Sequence, residues 1–159
     1  MNYAKTRQPG RILARGVCRA LQTHGFVCIE EFVPRRGLRL DVLALGAKGE
    51  IWVIECKSSR ADFTSDRKWQ AYPQWGDRYF WAVDGQFPIE LLPEDSGVII
   101  ADGYGGEILR MAPERRLAPA RRKMLTLKAA RHAAARLQAF ADPGAVRLTN
   151  IKESAEHLD

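Results

Sequence analysis

The 159-residue chain is 46% hydrophobic and 28% charged, with 25 Lys and Arg against 19 Asp and Glu and a formal net charge of +6. That composition excludes a disordered chain, and no apolar run approaches the roughly 18 residues of a membrane span. The N-terminus lacks a secretory apolar segment, and Cys18, Cys28 and Cys56 have no zinc-type spacing, so reduced thiols and a cytoplasmic location are expected.

The first predicted element is an amphipathic helix over 9–24, with Leu13, Val17 and Leu21 on one stripe and Arg7, Arg11, Arg15 and Arg19 on the other side. Gly25 is its stop. Three strands follow, at 26–33, 38–45 and 50–58, punctuated by Pro34, Gly37 and "GAKG". Residues 59 to about 76 return to a helical or mixed pattern. Further strands are predicted at 78–83, 97–102 and 106–111, the last two joined through "GYG". Pro119 then opens a long helix to about Phe140, with Met124, Leu127, Ala130, Ala134 and Leu137 as its apolar stripe. No linker divides the chain, so residues 1–141 are expected to form one domain and 142–159 a polar tail or short helix. The order is that of an α/β domain with a mixed central sheet.

Charge is unevenly placed along this order. Between Arg110 and Arg136, nine Lys and Arg face a single acid, Glu114. This local net of +8 within a total of +6 leaves −2 on the rest of the chain. A concentrated basic segment points to an anionic partner, nucleic acid first, although a solvated helix face would have the same composition.

The chemistry is concentrated in "IWVIECKSS" (51–59). Alternation places Ile51, Val53, Glu55 and Lys57 on one face and Trp52, Ile54 and Cys56 on the other. If 47–49 form a three-residue hairpin loop with Gly49 left-handed, Gly46 pairs with Glu50 and Asp41 falls opposite Glu55. Two adjacent carboxylates repel unless a cation lies between them, which makes Asp41 and Glu55 candidate ligands of Mg²⁺, with Mn²⁺ as a substitute. The backbone carbonyl of Cys56 is a third candidate donor. Lys57, one pleat beyond, is placed to orient or activate a water and to meet a phosphate. Metal-activated water aimed at phosphorus is phosphodiester hydrolysis.

Asp41 followed after thirteen residues by Glu55-Cys56-Lys57 resembles the PD-(D/E)XK nuclease superfamily, and the α-β-β-β-α-β order is similar to its restriction-endonuclease-like core. The flanks "RLDVLAL", "GEIWVIECKSS", "ADFTSDRKWQAY", "DRYFWAV", "IADGYGGEILR" and "ARRK" look like the MmcB-type DNA repair endonucleases of bacteria, over roughly residues 26–125. The resemblance implies a DNA-damage context and DNA as partner, branched, damaged or single-stranded. It also draws attention to Lys68 and Tyr72, since many nucleases of the superfamily carry Gln-x-x-x-Tyr there. Four residues apart, the pair would share a helix face and steady the scissile phosphate; a surface Lys above a half-buried Tyr fits equally.

Two departures stand out. Leu40, not Pro, precedes Asp41, and the first helix carries no acid. Glu30 or Glu31 is the candidate substitute, with only one of them expected to face the site, so a second metal is not expected. Arg11, Arg15, Arg121, Arg122 and Lys123 are candidates for phosphate tracking. Trp69, Trp75, Phe80 and Trp81 read as packing, and the three histidines form no triad. Two functions follow: a Mg²⁺-dependent endodeoxyribonuclease, or a non-catalytic nucleic-acid-binding or repair-scaffold module on the same fold.

Overall fold

In the computed structural model, residues 9–144 are described. Helix α1 (Pro9–Thr23) buries Leu13, Val17 and Leu21, the expected stripe, together with Ala14, Gly16 and Ala20. It ends where Gly25 N donates to Gln22 O and Phe26 N to Leu21 O. Gly25 has a φ of 80°, the left-handed stop that a residue without Cβ adopts freely.

One six-stranded sheet carries β1 (Val27–Arg35), β2 (Leu38–Leu45), β3 (Ile51–Cys56), β4 (Arg78–Val83), β5 (Gly97–Ala101) and β6 (Gly106–Arg110), neighbours in chain order. β1, β2 and β3 form an antiparallel meander; β3, β4 and β5 are parallel; β6 returns antiparallel. This is the expected mixed sheet flanked by helices. Between β3 and β4 the chain forms a short helix α2 (Arg60–Ser65) and two 3₁₀ turns, Trp69–Ala71 and Pro73–Trp75. Asp66 Oδ1 accepts from Lys68 N and Trp69 N, which draws the backbone out of the helix, and Pro73 forbids its resumption.

Sheet alternation decides the two cores. Val42, Ala44, Trp52, Ile54, Cys56, Phe80 and Ala82 cluster with Leu13, Val17 and Leu21 of α1. Phe26 and Phe80 flank Trp52, with ring centroids 4.1 and 5.0 Å away. On the other face Trp81, fully buried, receives Phe63 and Trp69, each 5.2 Å away and edge-on. Each aromatic of this size contributes roughly 1.5–3 kcal/mol by leaving water, so the tryptophans are packing residues, as read from their spacing. Gly16 lets α1 approach the β5–β6 turn, since a Cβ there would lie 1.8 Å from Asp102 O.

Helix α3 (Pro119–Ala141) runs from one compact unit, ending at Arg122, into a second beginning at Lys123. Its buried residues are Leu125 and Ala129, and the expected stripe is wrong: Met124, Leu127 and Leu137 are exposed. Alanines and leucines occupy several faces of this helix, so apolar periodicity does not single one out. No helix among the described residues is long and apolar enough to cross a membrane. Arg7 and the tail beyond residue 144 lie outside the described residues.

Candidate active site

The hairpin between β2 and β3 has the predicted geometry. Gly46 N donates to Glu50 O at 2.8 Å, Gly49 has a φ of 88°, and Val42 faces Ile54. Continued by one residue, that register brings Asp41 and Glu55 together. Asp41 N donates to Glu55 Oε1 at 3.1 Å, and Cys56 N donates to Asp41 Oδ2 at 2.9 Å, which sets the two carboxylates side by side. Burial pushes Glu55 well above the usual carboxylate range, and the neighbouring Asp41 charge adds to it. Burial also raises Asp41, with the Cys56 N–H and the Lys57 charge pulling the other way. A buried acid pair of this kind holds either a shared proton or a cation.

Lys57 follows one pleat beyond Glu55 and is only 6% exposed. Its Nζ donates to Asp66 Oδ2 at 2.6 Å and lies 6.0 Å from the Trp81 ring centroid. Burial alone would lower the Lys57 pKa, but the Asp66 contact, with the Asp62 and Glu55 charges, outweighs it and the net shift is upward. Asp66 moves down despite its own burial, for the same contact. Asp66 is a site residue that spacing alone did not single out. One of its oxygens shapes the 66–69 turn while the other holds Lys57.

These groups lie in a cleft of about 640 Å³ that Arg11, Arg39, Lys68 and Tyr72 also line. Lys68 and Tyr72 reach it from either side of the Trp69–Ala71 turn, not from one α-helical face as expected. Glu30 and Glu31 both line the cleft. Glu31 has a φ of 55°, a left-handed conformation uncommon outside glycine, and this breaks the strand's alternation opposite Asp41. Its carboxylate is 3.4 Å from Arg11 and 3.8 Å from Arg39. These arginines are held at the cleft rim by an acid.

The other basic candidates go elsewhere. Arg15 donates to Gly103 O at 2.7 Å. Arg121 donates to Gln74 O at 3.0 Å and stacks 4.8 Å from Trp75. Arg122 is committed to buried Asp77 and to Gly49 O. Lys123 is exposed at the start of the second unit. Within the "ARRK" run, Arg121 and Arg122 thus also hold the fold together.

Two neighbouring carboxylates and a main-chain oxygen are donors of the kind that suits one Mg²⁺, which takes one or two carboxylates and fills its shell with water and phosphate. Among the described residues, no three His, Cys, Asp or Glu side chains form the cluster that a closed structural metal site needs. The carboxylate pair also has a consequence without metal. Native Glu55 retains a proton that the unfolded chain releases, so stability falls as pH rises from the ordinary glutamate value toward the raised one. In EDTA, Glu55→Gln is expected to raise stability by about 1 kcal/mol near pH 8, a gain that fades toward about pH 4. Urea unfolding at both pH values checks this; no gain near pH 8 would mean the pair is not electrostatically frustrated.

A family model described as DNA repair protein MmcB-like matches residues 2–144. A solved structure of a protein of unknown function from Silicibacter pomeroyi is 69% identical, with a TM-score of 0.84, covering 87% of this chain and 94% of that one. Among curated proteins, none matches.

Proposed function

The chain belongs to the MmcB-like family of DNA repair proteins, and we propose that within this role it is a Mg²⁺-dependent endodeoxyribonuclease. The observation that carries the reading is the Asp41–Glu55 pair, each carboxylate held by a main-chain N–H, in a cleft that Lys57, just past β3, also lines. Asp41, Glu55 and the Cys56 carbonyl would hold the ion, which when bound polarises a phosphate and acidifies a water. Lys57 stays an ammonium because Asp66 and its neighbours raise its pKa. It therefore acts as a hydrogen-bond donor and a positive charge beside the phosphate, not as a base. Arg11, Arg39 and Lys68 are the cations at the cleft that would meet a phosphate backbone, beside the acids Glu30, Glu31, Asp62 and Asp66. Tyr72, buried at the same wall, offers a hydroxyl to the backbone next to the cut.

One observation favours the non-catalytic reading. Asp41 and Glu55 already accept main-chain N–H groups, so the pair has a structural use. Labelled branched, flapped, single-stranded and duplex DNA incubated with Mg²⁺ or Mn²⁺ separates the two. Cleavage abolished by EDTA and by Asp41→Asn is the expected result. Binding without cleavage of any substrate in either metal would leave a repair-associated binding module.

A further inference from the structure

Tyr104 is 78% exposed at the tip of the β5–β6 turn, yet its backbone is firmly held. Asp102 Oδ1 accepts from Tyr104 N at 2.7 Å and Gly105 N at 3.0 Å, and Asp102 N donates to Gly105 O at 2.9 Å. The turn is also fastened to α1. Arg15 Nε donates to Gly103 O, Arg19 Nη1 donates to Tyr104 O at 3.4 Å, and Gly16 packs against Asp102 O. The Arg15 guanidinium lies 5.7 Å from the Tyr104 ring centroid. A core-packing role does not account for a ring that remains mostly in water beside two arginines.

The same helix connects this turn to the cleft. Arg11, Arg15 and Arg19 recur every four residues, a row on the order of 12 Å long at 1.5 Å per residue. Arg11 lines the cleft with Asp41 and Glu55, while Arg15 and Arg19 reach the Tyr104 turn. Cations beside an exposed aromatic on a hydrogen-bonded turn are the combination that holds a single-stranded nucleic acid, by phosphate attraction and base stacking.

We propose that the Tyr104 turn is a single-strand platform, on which an unpaired base stacks while the α1 arginines follow the backbone toward the cleft. Duplex bases are stacked on one another and offer no free face, so the platform selects DNA with an unpaired stretch. This names the substrate class of the proposed nuclease and rests on that reading only for the link to a cut.

The test uses the full chain in EDTA, so that binding is measured without cleavage. Fluorescence anisotropy is read with a labelled single strand, a blunt duplex and a duplex with an overhang. Tyr104→Ala is expected to weaken binding of the single strand and overhang about tenfold, leaving the blunt duplex unchanged. Tyr104→Phe should retain affinity, and Arg19→Gln should reduce the salt dependence of single-strand binding by about one phosphate contact. Equal binding of all three DNAs by Tyr104→Ala and the unaltered protein would overturn the proposal, as would an equal loss on the blunt duplex. A change of oligomeric state on Tyr104→Ala would assign the turn to a second copy instead. Absence of cleavage would sink the nuclease reading and leave this binding result standing.

Discussion

Lys57→Ala is expected to reduce DNA cleavage by at least about 10²- to 10³-fold, the usual loss when a positioned donor to developing charge is removed. It should also destabilise the fold. Lys57 and Asp66 side chains are only 7% and 14% exposed, and Nζ to Oδ2 is 2.6 Å. Deleting one partner of such a pair costs roughly 3–5 kcal/mol, and the low end applies because Asp66 keeps the N–H groups of Lys68 and Trp69. Activity must therefore be compared on folded protein, and Asp66→Asn is the cleaner probe. It keeps the acceptor for the 66–69 turn but removes the charge that overcomes Lys57's burial. With a raised folded pKa, the pair's contribution is fully present below the unfolded lysine value and is lost as pH rises through the folded value. In Asp66→Asn the alkaline limb of kcat/KM should move to lower pH. A variant that is merely less stable, with an unshifted pH profile, would mean that Asp66 supports the turn and not the chemistry of Lys57.

The parts of this site legible in the sequence were those governed by strict local periodicity. Alternation and a Gly-bearing hairpin loop are enough to set Asp41 opposite Glu55, because a one-residue slip would exchange the faces of the whole strand. Asp66 obeys no such period. It reaches Lys57 only because its own turn ends α2 and folds the chain back over Trp81, a tertiary outcome. For Glu30 and Glu31 alternation left a choice of one or the other, and a single left-handed residue at Glu31 suspends the alternation on which that choice rests. The basic run 121–123 shows what charge counting loses. Three adjacent cations read alike in sequence, but Arg121 stacks on Trp75, Arg122 enters a buried pair, and only Lys123 is simply exposed. In α3, alanine is apolar enough to enter any stripe and small enough to belong to none.

Asp77→Ala should therefore be the most damaging change away from the cleft, and it also settles what Arg122 is for. Asp77 is 4% exposed and accepts from Ile51 N and Leu117 N, each at 2.9 Å, and from both Arg122 nitrogens. Its main chain adds bonds to Ile51 O at 2.6 Å and from Arg115 N at 2.7 Å. One carboxylate thus fastens the start of β3 to the segment before α3 and to that helix's first turn. Removing it strands two buried N–H groups and a guanidinium, at roughly 3–5 kcal/mol, or on the order of 10 °C in Tm for a chain of this size. Burial alone would raise the Asp77 pKa, but Arg122 and the N–H donors outweigh it and hold the carboxyl below its ordinary value. Its contribution is accordingly full above the unfolded aspartate pKa of about 3.9 and lost as pH falls through the lower folded value. The gap between unaltered protein and Asp77→Ala in urea unfolding should be wide near pH 7 and narrow below about pH 4. Arg122→Gln should share the stability loss while leaving the salt dependence of DNA binding unchanged, because a guanidinium engaged on both nitrogens by Asp77 has little left for phosphate. Loss of DNA affinity without loss of stability would return Arg122 to the nucleic-acid surface.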